Sequence, residues 1–367
     1  MRAKAEIDLS AIAENIALIQ SKTTAQILAV VKANAYGHGL VPVAETALSA
    51  GASWLGVALL EEALELRAAG IRSPLIAWLT PPGEDFATAL RNGIDLSIPS
   101  LVIFHELLSA AKETGITPRI HLEVDTGMSR GGFLTDWKSF LPELVKAKEQ
   151  IHLVGFWSHF ARADEPEQPS NAVQQQNFEL RLNELEATGL IPEYVHFANS
   201  AAALTNPKSH RDIVRFGIAM YGLSPDVTSL GGSEILGLKP AMSLKARLHL
   251  VKAVAAGNAI GYGGTAVLDE DTVLGVIPMG YADGIPRNAT SQAVVVVNGQ
   301  TAPVIGRVSM DQFVVNLGLN TTAKAGDWVT IFGSDGVPVD IWAKAAGTIN
   351  YEIVTRIAAR VPRIYLR

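Results

Sequence analysis

The sequence contains no cysteine. This absence excludes disulfides, thiolate zinc sites and a cysteine nucleophile, and it fits a reducing compartment. The formal net charge is −6 and no run of lysine and arginine lies near either end, so nothing indicates a nucleic-acid partner. No uninterrupted apolar run is long enough to span a bilayer, and charges interrupt residues 1–8, where a signal peptide needs an apolar core. These absences predict a soluble cytoplasmic protein with no nucleic-acid or membrane partner and no metal site.

The length of 367 residues, 48% of them hydrophobic, is too great for one ordinary domain, and two are expected. In the first part of the chain, strand-like and helix-like stretches alternate, and this rhythm favours an α/β protein with a parallel sheet. Eight such units favour a (β/α)₈ barrel. The eight candidate strands are Ile27–Lys32, Trp54–Leu59, Leu75–Leu79, Ile94–Ile98, Arg119–Asp125, Leu153–His159, Tyr194–Asn199 and Asp212–Phe216.

We assign the barrel to residues 11–225. Ahead of it, residues 1–10 are a leading strand, for which the C-terminal domain is a candidate packing partner, and Ser10 is the expected N-cap of the first helix. Behind it, residues 224–237 are rich in glycine, serine and proline and indicate a linker. Residues 226–367 form an all-β domain. Its strand candidates and its closing helix are Val273–Pro278, Val294–Asn298, Phe313–Asn316, Trp328–Phe332 and Ile341–Asn350.

One stretch carries the strongest chemical signal, and it reads Val31-Lys32-Ala33-Asn34-Ala35-Tyr36-Gly37-His38-Gly39. It follows an apolar run typical of a strand buried on both faces, which puts Lys32 at the carboxyl end of that strand. Barrels place their chemistry at that end, and a partly desolvated lysine there is a candidate for Schiff-base formation. Tyr36 supplies a hydroxyl, and its small neighbours let the backbone approach a bound group closely. A solvated lysine at the mouth of a loop is the alternative.

This stretch resembles the lysine motif of the alanine racemases, a family of enzymes dependent on pyridoxal 5′-phosphate. The resemblance extends over essentially the whole chain. It implies that Lys32 holds the cofactor and is one of two bases. It implies further that the second base is Tyr262, in Gly261-Tyr262-Gly263, supplied by the other subunit of a homodimer with composite active sites.

Other polar residues follow later strands of the proposed barrel. Arg130 follows the fifth strand, His159 ends the sixth, Asn199 and Ser200 end the seventh, and Arg215 ends the eighth. Each has a purely structural explanation when taken alone, such as a core position for His159 or a helix cap for Asn199. Since single matches are weak, the argument depends on their convergence on one rim.

The same rim offers a phosphate site, because such barrels commonly bind phosphate in the loops after the seventh and eighth strands. Those loops provide Ser200 at a helix N-terminus and the backbone amides of Gly217 and Ile218. A lysine, this cradle and the flat ring of His159 together describe a pyridoxal phosphate site, in which Arg215 can face the pyridine nitrogen. A guanidinium only donates hydrogen bonds, so it would keep that nitrogen unprotonated and weaken the cofactor as an electron sink.

The resemblance assigns the remaining site residues. Arg130 would hold the phenolic oxygen of the cofactor and the carboxylate of the substrate. The other matching residues are Met310 with Asp311 in the substrate region, Tyr281 with Arg287 at the entrance, and Tyr351, which joins Tyr36 at the phosphate.

One position departs from the family pattern. In many members a carbamylated lysine lies seven residues before the arginine that matches Arg130, and its negative charge orients that arginine. This chain has Glu123 there, on the same strand face as Arg119 and His121. We expect the Glu123 carboxylate to supply the charge directly, with a bridging water or anion where its shorter side chain does not reach.

The predicted function is interconversion of L-alanine and D-alanine, with D-alanine supplied to peptidoglycan synthesis. A racemase of serine or another small amino acid and a non-catalytic carrier of pyridoxal phosphate are alternatives, although such carriers lack the β domain. A decarboxylase of basic amino acids shares the layout but uses a cysteine in its β domain, and this chain has none. A barrel that binds some other phosphate ligand is the last alternative.

Overall fold

The computed structural model of the chain describes residues 1–289 and 292–367. Eight parallel strands close into a barrel, and a nine-stranded sheet with a separate two-stranded ribbon makes up the rest. The predicted fold class, a (β/α)₈ barrel followed by a strand-rich domain, is confirmed. The strands are β1 Ala3–Asp8, β2 Gln26–Val30, β3 Trp54–Val57, β4 Leu75–Ala77, β5 Asp95–Ile98, β6 Arg119–Glu123, β7 His152–Trp157, β8 Tyr194–His196, β9 Ile213–Phe216, β10 Met242–Arg247, β11 Leu250–Val254, β12 Ala259–Ile260, β13 Ala266–Val267, β14 Thr272–Ile277, β15 Val294–Val297, β16 Gln300–Ile305, β17 Phe313–Asn316, β18 Trp328–Phe332 and β19 Arg363–Leu366.

Right-handed helices separate most of the barrel strands, and others lie outside the barrel. None of the helices in the described residues combines the length and the apolar character needed to cross a membrane. They are Leu9–Gln20, Leu40–Ser49, Leu60–Ala68, Phe86–Arg91, Leu101–Thr114, Trp137–Lys146, Pro169–Glu186, Ser200–Thr205, Val339–Ala346 and Asn350–Thr355.

The barrel runs in chain order from β2 to β9, and β9 pairs with β2 to close it. All eight predicted strands form, but six of them end two or three residues earlier than expected. The polar residues at those ends leave the ladder and enter the loops of the barrel mouth, where their side chains are free to face a ligand.

The first helix begins one residue before Ser10, so the predicted N-cap is wrong. Asp8, the last residue of β1, caps the helix, and its carboxylate accepts from the backbone N–H groups of Ser10 at 2.9 Å and Ala11 at 3.1 Å. Aspartate and serine are comparable caps, and the extended backbone at the end of β1 gives Asp8 the geometry that the role needs.

The nine-stranded sheet joins the two ends of the chain. β1 lies between β10, with which it is antiparallel, and β19, with which it is parallel. An Asn-Gly turn at residues 298–299 connects β15 to β16. The sequence did not predict β10, β11, β12, β13, β16 or β19.

The closing helix is interrupted where the sequence predicted one continuous element. Val339–Ala346 ends at Gly347, whose φ of +65° stops the right-handed turn, and a second helix, Asn350–Thr355, carries Tyr351. A glycine just past a helix end is the usual residue for this backbone conformation. The break turns the second helix toward the barrel mouth.

Asp8→Ala tests the corrected cap. We expect it to lower the free energy of unfolding by about 1 kcal/mol, because two helix N–H groups lose their acceptor. The measurement is the shift of the urea midpoint at a constant m-value. Ser10→Ala is the matched control and should change the free energy by less than about 0.5 kcal/mol. Equal losses in the two variants would restore Ser10 as the cap.

Candidate active site

Lys32 opens a single left-handed turn at the carboxyl end of β2. The four residues after it have positive φ, at 53° for Ala33, 54° for Asn34, 52° for Ala35 and 51° for Tyr36. Left-handed backbone costs a non-glycine residue roughly 1–2 kcal/mol, so a run of four must be held by its surroundings. We refer to Lys32–Tyr36 as the lysine turn.

Two polar side chains hold the start of the lysine turn. Glu62 accepts a hydrogen bond from the backbone N–H of Ala33 at 2.5 Å, and its other oxygen accepts from Ala58 at 3.0 Å. The Asn34 side chain accepts from the N–H of Leu40, where the next helix begins, at 2.8 Å. The turn is therefore tied to both neighbouring segments of the barrel.

A buried histidine and an arginine of β19 hold its far end. Burial lowers the pKa of His38 to about 4, so the ring is neutral. His38 Nδ1 lies 2.9 Å from the carbonyl of Tyr36 and 3.1 Å from that of Ala35, which fixes its proton on Nδ1. Arg363 donates to the Gly37 carbonyl at 2.9 Å. The last strand of the β domain thus contacts the segment that presents Lys32.

A cavity of about 1070 Å³ opens at the carboxyl ends of the barrel strands, and we call it the barrel mouth. It brings together eleven of the residues that the sequence singled out. They are Lys32, Tyr36, Glu123, Arg130, His159, Asn199, Ser200, Arg215, Gly217, Ile218 and Tyr351. Tyr351 comes from the second helix of the β domain, so both domains line the mouth.

Lys32 lies in an environment that favours its neutral form. Burial lowers its pKa, and the nearby charges of Arg130 and Arg215 lower it further, while Glu62 acts in the opposite direction. Its Nζ lies 5.8 Å from the ring centroid of Trp78, which walls one side. A lysine with a lowered pKa is a better nucleophile and proton acceptor near neutral pH.

Beside the lysine turn, a cluster of donors surrounds Gly217. Its N–H donates to the Ser200 hydroxyl at 2.8 Å, and a Cβ at this position would come within 2.8 Å of the Tyr36 hydroxyl. Glycine therefore keeps the space between two hydroxyls open. Burial raises the pKa of Tyr36 and of Tyr351, so both phenols stay protonated and can donate. Such a cradle fits an anion such as a phosphate group.

Arg215 lies at the opposite side of the barrel mouth, on β9. Burial lowers its pKa to about 9, and it donates to the carbonyl of Ser158 at 2.8 Å and to that of Phe197 at 3.1 Å. Its Nη2 also lies 3.2 Å from Nδ1 of His159. Burial, reinforced by Arg215, holds the pKa of His159 well below its ordinary value, so that ring is neutral and accepts at Nδ1.

Glu123, predicted to supply the charge that orients Arg130, lies close enough for the charge of Arg130 to lower its pKa. Arg130 is exposed, and no ion pair joins the two in the part of the chain that the structure describes. Both line a small cavity beside the barrel mouth. Burial raises the pKa of Glu123 to about 7, against the lowering effect of Arg130 and Arg215. The two side chains therefore interact through space rather than through a hydrogen bond.

Apart from Tyr351, the predicted residues of the β domain do not line the barrel mouth of their own chain. Tyr262 is 70% exposed, in a turn between β12 and β13, and Met310 is 54% exposed. Asp311, Tyr281 and Arg287 are exposed as well. These side chains are therefore accessible from outside their own chain.

A buried carboxylate that the sequence analysis did not assign to the site, Asp283, stabilises the segments that carry several of these exposed residues. Asp283 is fully buried and pairs with Arg2 at 2.5 Å and with Arg360 at 2.9 Å. Arg360 also pairs with Asp311 at 2.7 Å, and the backbone N–H of Tyr281 donates to the loop that carries Met310. The segments around residues 281 and 310 therefore form one unit.

Comparisons with known proteins agree with this geometry. A family model for the alanine racemase N-terminal domain matches residues 7–225, and one for the C-terminal domain matches residues 241–365. The chain belongs to the alanine racemase family.

Known alanine racemases match nearly the full length of the chain. The alanine racemase of Thermobifida fusca is 47% identical over 370 residues, which cover 99% of this chain and 98% of the relative. The crystal structure of alanine racemase from Streptomyces lavendulae superposes with a TM-score of 0.97 at 46% identity, covering 100% of this chain and 97% of the other. The Bacillus anthracis alanine racemase, solved with bound L-Ala-P, has a TM-score of 0.90 at 38% identity, with 100% and 95% covered. As an amino-acid racemase, the chain is an isomerase.

Three residues of this alanine racemase site carried no signal that sequence reasoning could use. Trp78 and Trp157 line the barrel mouth beside Lys32 and Arg215, but a tryptophan in a barrel strand looks like a core residue. Glu62 looks like an ordinary surface residue of a helix. Only the left-handed backbone beside it explains why a carboxylate is needed there.

Glu123→Gln tests the raised pKa of Glu123. Because the folded-state pKa of about 7 exceeds the ordinary value of 4.5, the neutral acid contributes stability that is lost as the pH rises through 7. Glutamine mimics the neutral acid. We expect the cofactor-free variant to match the unmodified protein at pH 5 and to exceed its free energy of unfolding by roughly 2–3 kcal/mol at pH 8. Urea unfolding at both pH values measures this, and a difference independent of pH would contradict it.

Proposed function

We propose that this chain interconverts L-alanine and D-alanine with pyridoxal 5′-phosphate bound in the barrel mouth. One observation carries the proposal within this family. Lys32, an anion cradle and a buried guanidinium line a single cavity at the strand ends. A group with an aldehyde, a phosphate and a basic ring nitrogen has a matching partner at each of these three points.

The residues present fit the cofactor. Lys32 would hold it covalently through the ε-amino group. Ser200, Tyr36 and the N–H groups of Gly217 and Ile218 would bind its phosphate. Arg215 would donate to its ring nitrogen, and when bound, pyridoxal phosphate supplies an electron sink for the charge that develops at Cα of the amino acid.

Lys32 and Tyr262 would act as the two bases. Lys32, whose pKa is lowered by burial and by two arginines, is suited to take a proton from Cα on one face of the substrate. Tyr262 from the partner subunit would return a proton to the opposite face, and inversion results. His159, neutral and held by Arg215, would assist Tyr262 through its free ring nitrogen. Arg130 would hold the substrate carboxylate.

The homodimer is supported by the positions of the β-domain residues. Tyr262 and Met310 are exposed and lie outside the barrel mouth of their own chain. In a two-fold dimer the contact that one subunit makes with its partner is repeated in the opposite direction. One interface would therefore bring these β-domain residues to the barrel mouths of both subunits. Met310 and Asp311 would then close the partner's pocket, with Tyr281 and Arg287 at the entrance.

Alanine is favoured as the substrate by the family to which the chain belongs, and serine is the first alternative, because a pocket rejects an added hydroxyl only weakly. The product D-alanine would serve peptidoglycan synthesis. A cytoplasmic site of action is supported by the absence of cysteine from the sequence.

The decisive measurement is proton–deuterium exchange at Cα of L-alanine in heavy water, with purified protein and added pyridoxal phosphate. We expect deuterium uptake together with loss of optical rotation, because two bases act on opposite faces. L-serine run in parallel tests the alternative substrate. Tyr262→Phe should abolish racemisation, while the visible absorbance of the bound cofactor should stay unchanged. Exchange with retained configuration would mean that Lys32 acts alone, and absence of exchange with bound cofactor would favour a carrier protein.

Subunit mixing tests the composite site. Lys32→Ala and Tyr262→Phe should each be inactive alone. If each site takes one residue from each subunit, a mixed dimer has one intact site and one that lacks both residues. Denaturing and refolding the two variants together in equal amounts should therefore restore about a quarter of the unmodified activity. No recovery, with mixed dimers demonstrated by two affinity tags, would place both residues in one subunit.

A further inference from the structure

Buried polar side chains form a continuous hydrogen-bonded chain through the barrel interior. Asp95 lies on β5, His121 on β6, His196 on β8 and Arg215 on β9. Asp95 Oδ2 lies 3.4 Å from His121 Nε2, and His121 Nδ1 lies 3.0 Å from His196 Nε2. His196 Nδ1 lies 3.4 Å from Nη1 of Arg215. None of the four is more than 5% exposed. We call Asp95, His121 and His196 the relay.

The two end members of this hydrogen-bonded series, Arg215 and Asp95, fix the direction of every hydrogen bond in it. A guanidinium only donates, so His196 accepts from Arg215 at Nδ1 and carries its proton on Nε2. That proton is donated to Nδ1 of His121, whose own proton is therefore on Nε2 and is donated to Asp95. A carboxylate only accepts, so every hydrogen bond in the series has one donor and one acceptor. In this arrangement each imidazole carries a proton on Nε2, and burial, which holds the pKa of His196 well below its ordinary value, keeps that ring neutral.

The space around the two histidines is shaped for this bond. Gly155 of β7 lies between them, and a Cβ there would overlap Nδ1 of His121. Trp54 packs edge-on against His121 at 5.6 Å, and the ring of Trp157 lies parallel to that of His196 within 5°. His121 is 0% exposed and His196 is 1% exposed, so bulk water cannot replace the hydrogen bond that a ring with the wrong tautomer would lose.

Asp95 is charge-balanced from its other side. Arg119 donates to its two carboxylate oxygens, at 2.8 Å from Nε and 3.2 Å from Nη2. The third nitrogen of Arg119 lies 3.3 Å from Nδ1 of His152, which in turn bonds to Glu193. The carboxylate is thus held in its charged, accepting form beside His121.

We propose that the relay is a positioning device for Arg215. The carboxylate of Asp95 selects the tautomers of both histidines, and His196 then presents to Arg215 a nitrogen that can only accept. Without that selection the ring of His196 can turn its proton toward the guanidinium, where two donors repel. The consequence for catalysis rests on the proposed function, in which Arg215 faces the ring nitrogen of the cofactor.

The tautomers can be read directly in the cofactor-free protein. We expect two-bond ¹H–¹⁵N spectra of the ¹⁵N-histidine-labelled protein to show a protonated Nε2 and a bare Nδ1 for His121 and His196, assigned by loss of each signal in a phenylalanine variant. Asp95→Asn can donate as well as accept, so it should give a mixture of tautomers at His196. A protonated Nδ1 on either histidine of the unmodified protein would overturn the proposal.

The catalytic consequence is tested by His121→Phe, which keeps an aromatic ring against Trp54 but removes the hydrogen bonds that connect Asp95 to His196. We expect kcat for alanine to fall roughly ten- to hundredfold, as for a misplaced catalytic group, with KM within about twofold. His210→Phe is the matched control, since His210 is buried and makes two hydrogen bonds, to Thr23 and Ala203, away from the barrel mouth. It should lose stability but keep kcat.

Equal kcat losses in the two variants would make the relay merely structural. If His121→Phe does not fold, the Asp95→Asn spectrum and its kcat decide instead, and an unshifted tautomer with an unchanged kcat overturns the proposal. If the unmodified protein does not racemise alanine, the proposed function fails, whereas the spectra still test the relay.

Discussion

The site depends on one backbone constraint, the left-handed conformation of the lysine turn. A right-handed turn after β2 would point the residues after Lys32 along a different path and would separate its amino group from the Tyr36 hydroxyl. Four non-glycine residues resist the observed conformation, so the surrounding contacts have to outweigh that cost. The carboxylate of Glu62 and the ring of His38 bind the two ends of the turn, and both partners are fixed by burial or by a second hydrogen bond. The position of Lys32 is therefore a property of the fold, set before any ligand arrives.

The same constraint couples the two domains. Arg363 of β19 donates to the carbonyl of Gly37, and a side chain at Gly37 would overlap the backbone of Val354 in the second helix of the β domain. β19 is itself held by β1, so the first and last strands of the chain meet beside the lysine turn. A barrel without these partners would lack the contacts that stabilise the strained segment. This explains in physical terms why the β domain belongs to the site even where it supplies no reacting group.

The sequence predicted well where a strong local pattern has a single structural outcome. Buried apolar runs alternating with helices predict a parallel sheet, eight such units favour a closed barrel, and the barrel then brings Arg130, His159 and Arg215 to one rim. The left-handed turn was not predictable, because alanine and asparagine carry no signal for four successive residues at positive φ. The strands β10 and β19 were missed because their pairing partners are far away along the chain. Asp8 was missed as a cap because the end of β1 could not be placed within two residues.

The charges in the barrel mouth connect this scaffold to its chemistry. Lys32, Arg130, Arg215 and the buried carboxylate of Glu123 line one cavity. Burial lowers the pKa of Lys32, repulsion from the charges of Arg130 and Arg215 lowers it further, and Glu62 acts in the opposite direction. Burial raises the pKa of Glu123, which weakens its compensation of these positive charges. An anionic ligand that carries a phosphate or a carboxylate relieves this repulsion, so its binding energy is coupled to the stability of the folded site. Arg215 is the exception, because its hydrogen bonds go to neutral carbonyls and imidazoles. In the described residues no carboxylate accepts a hydrogen bond from it, although the charge of Glu123 favours its charged form, and it stays available to a neutral acceptor in the barrel mouth.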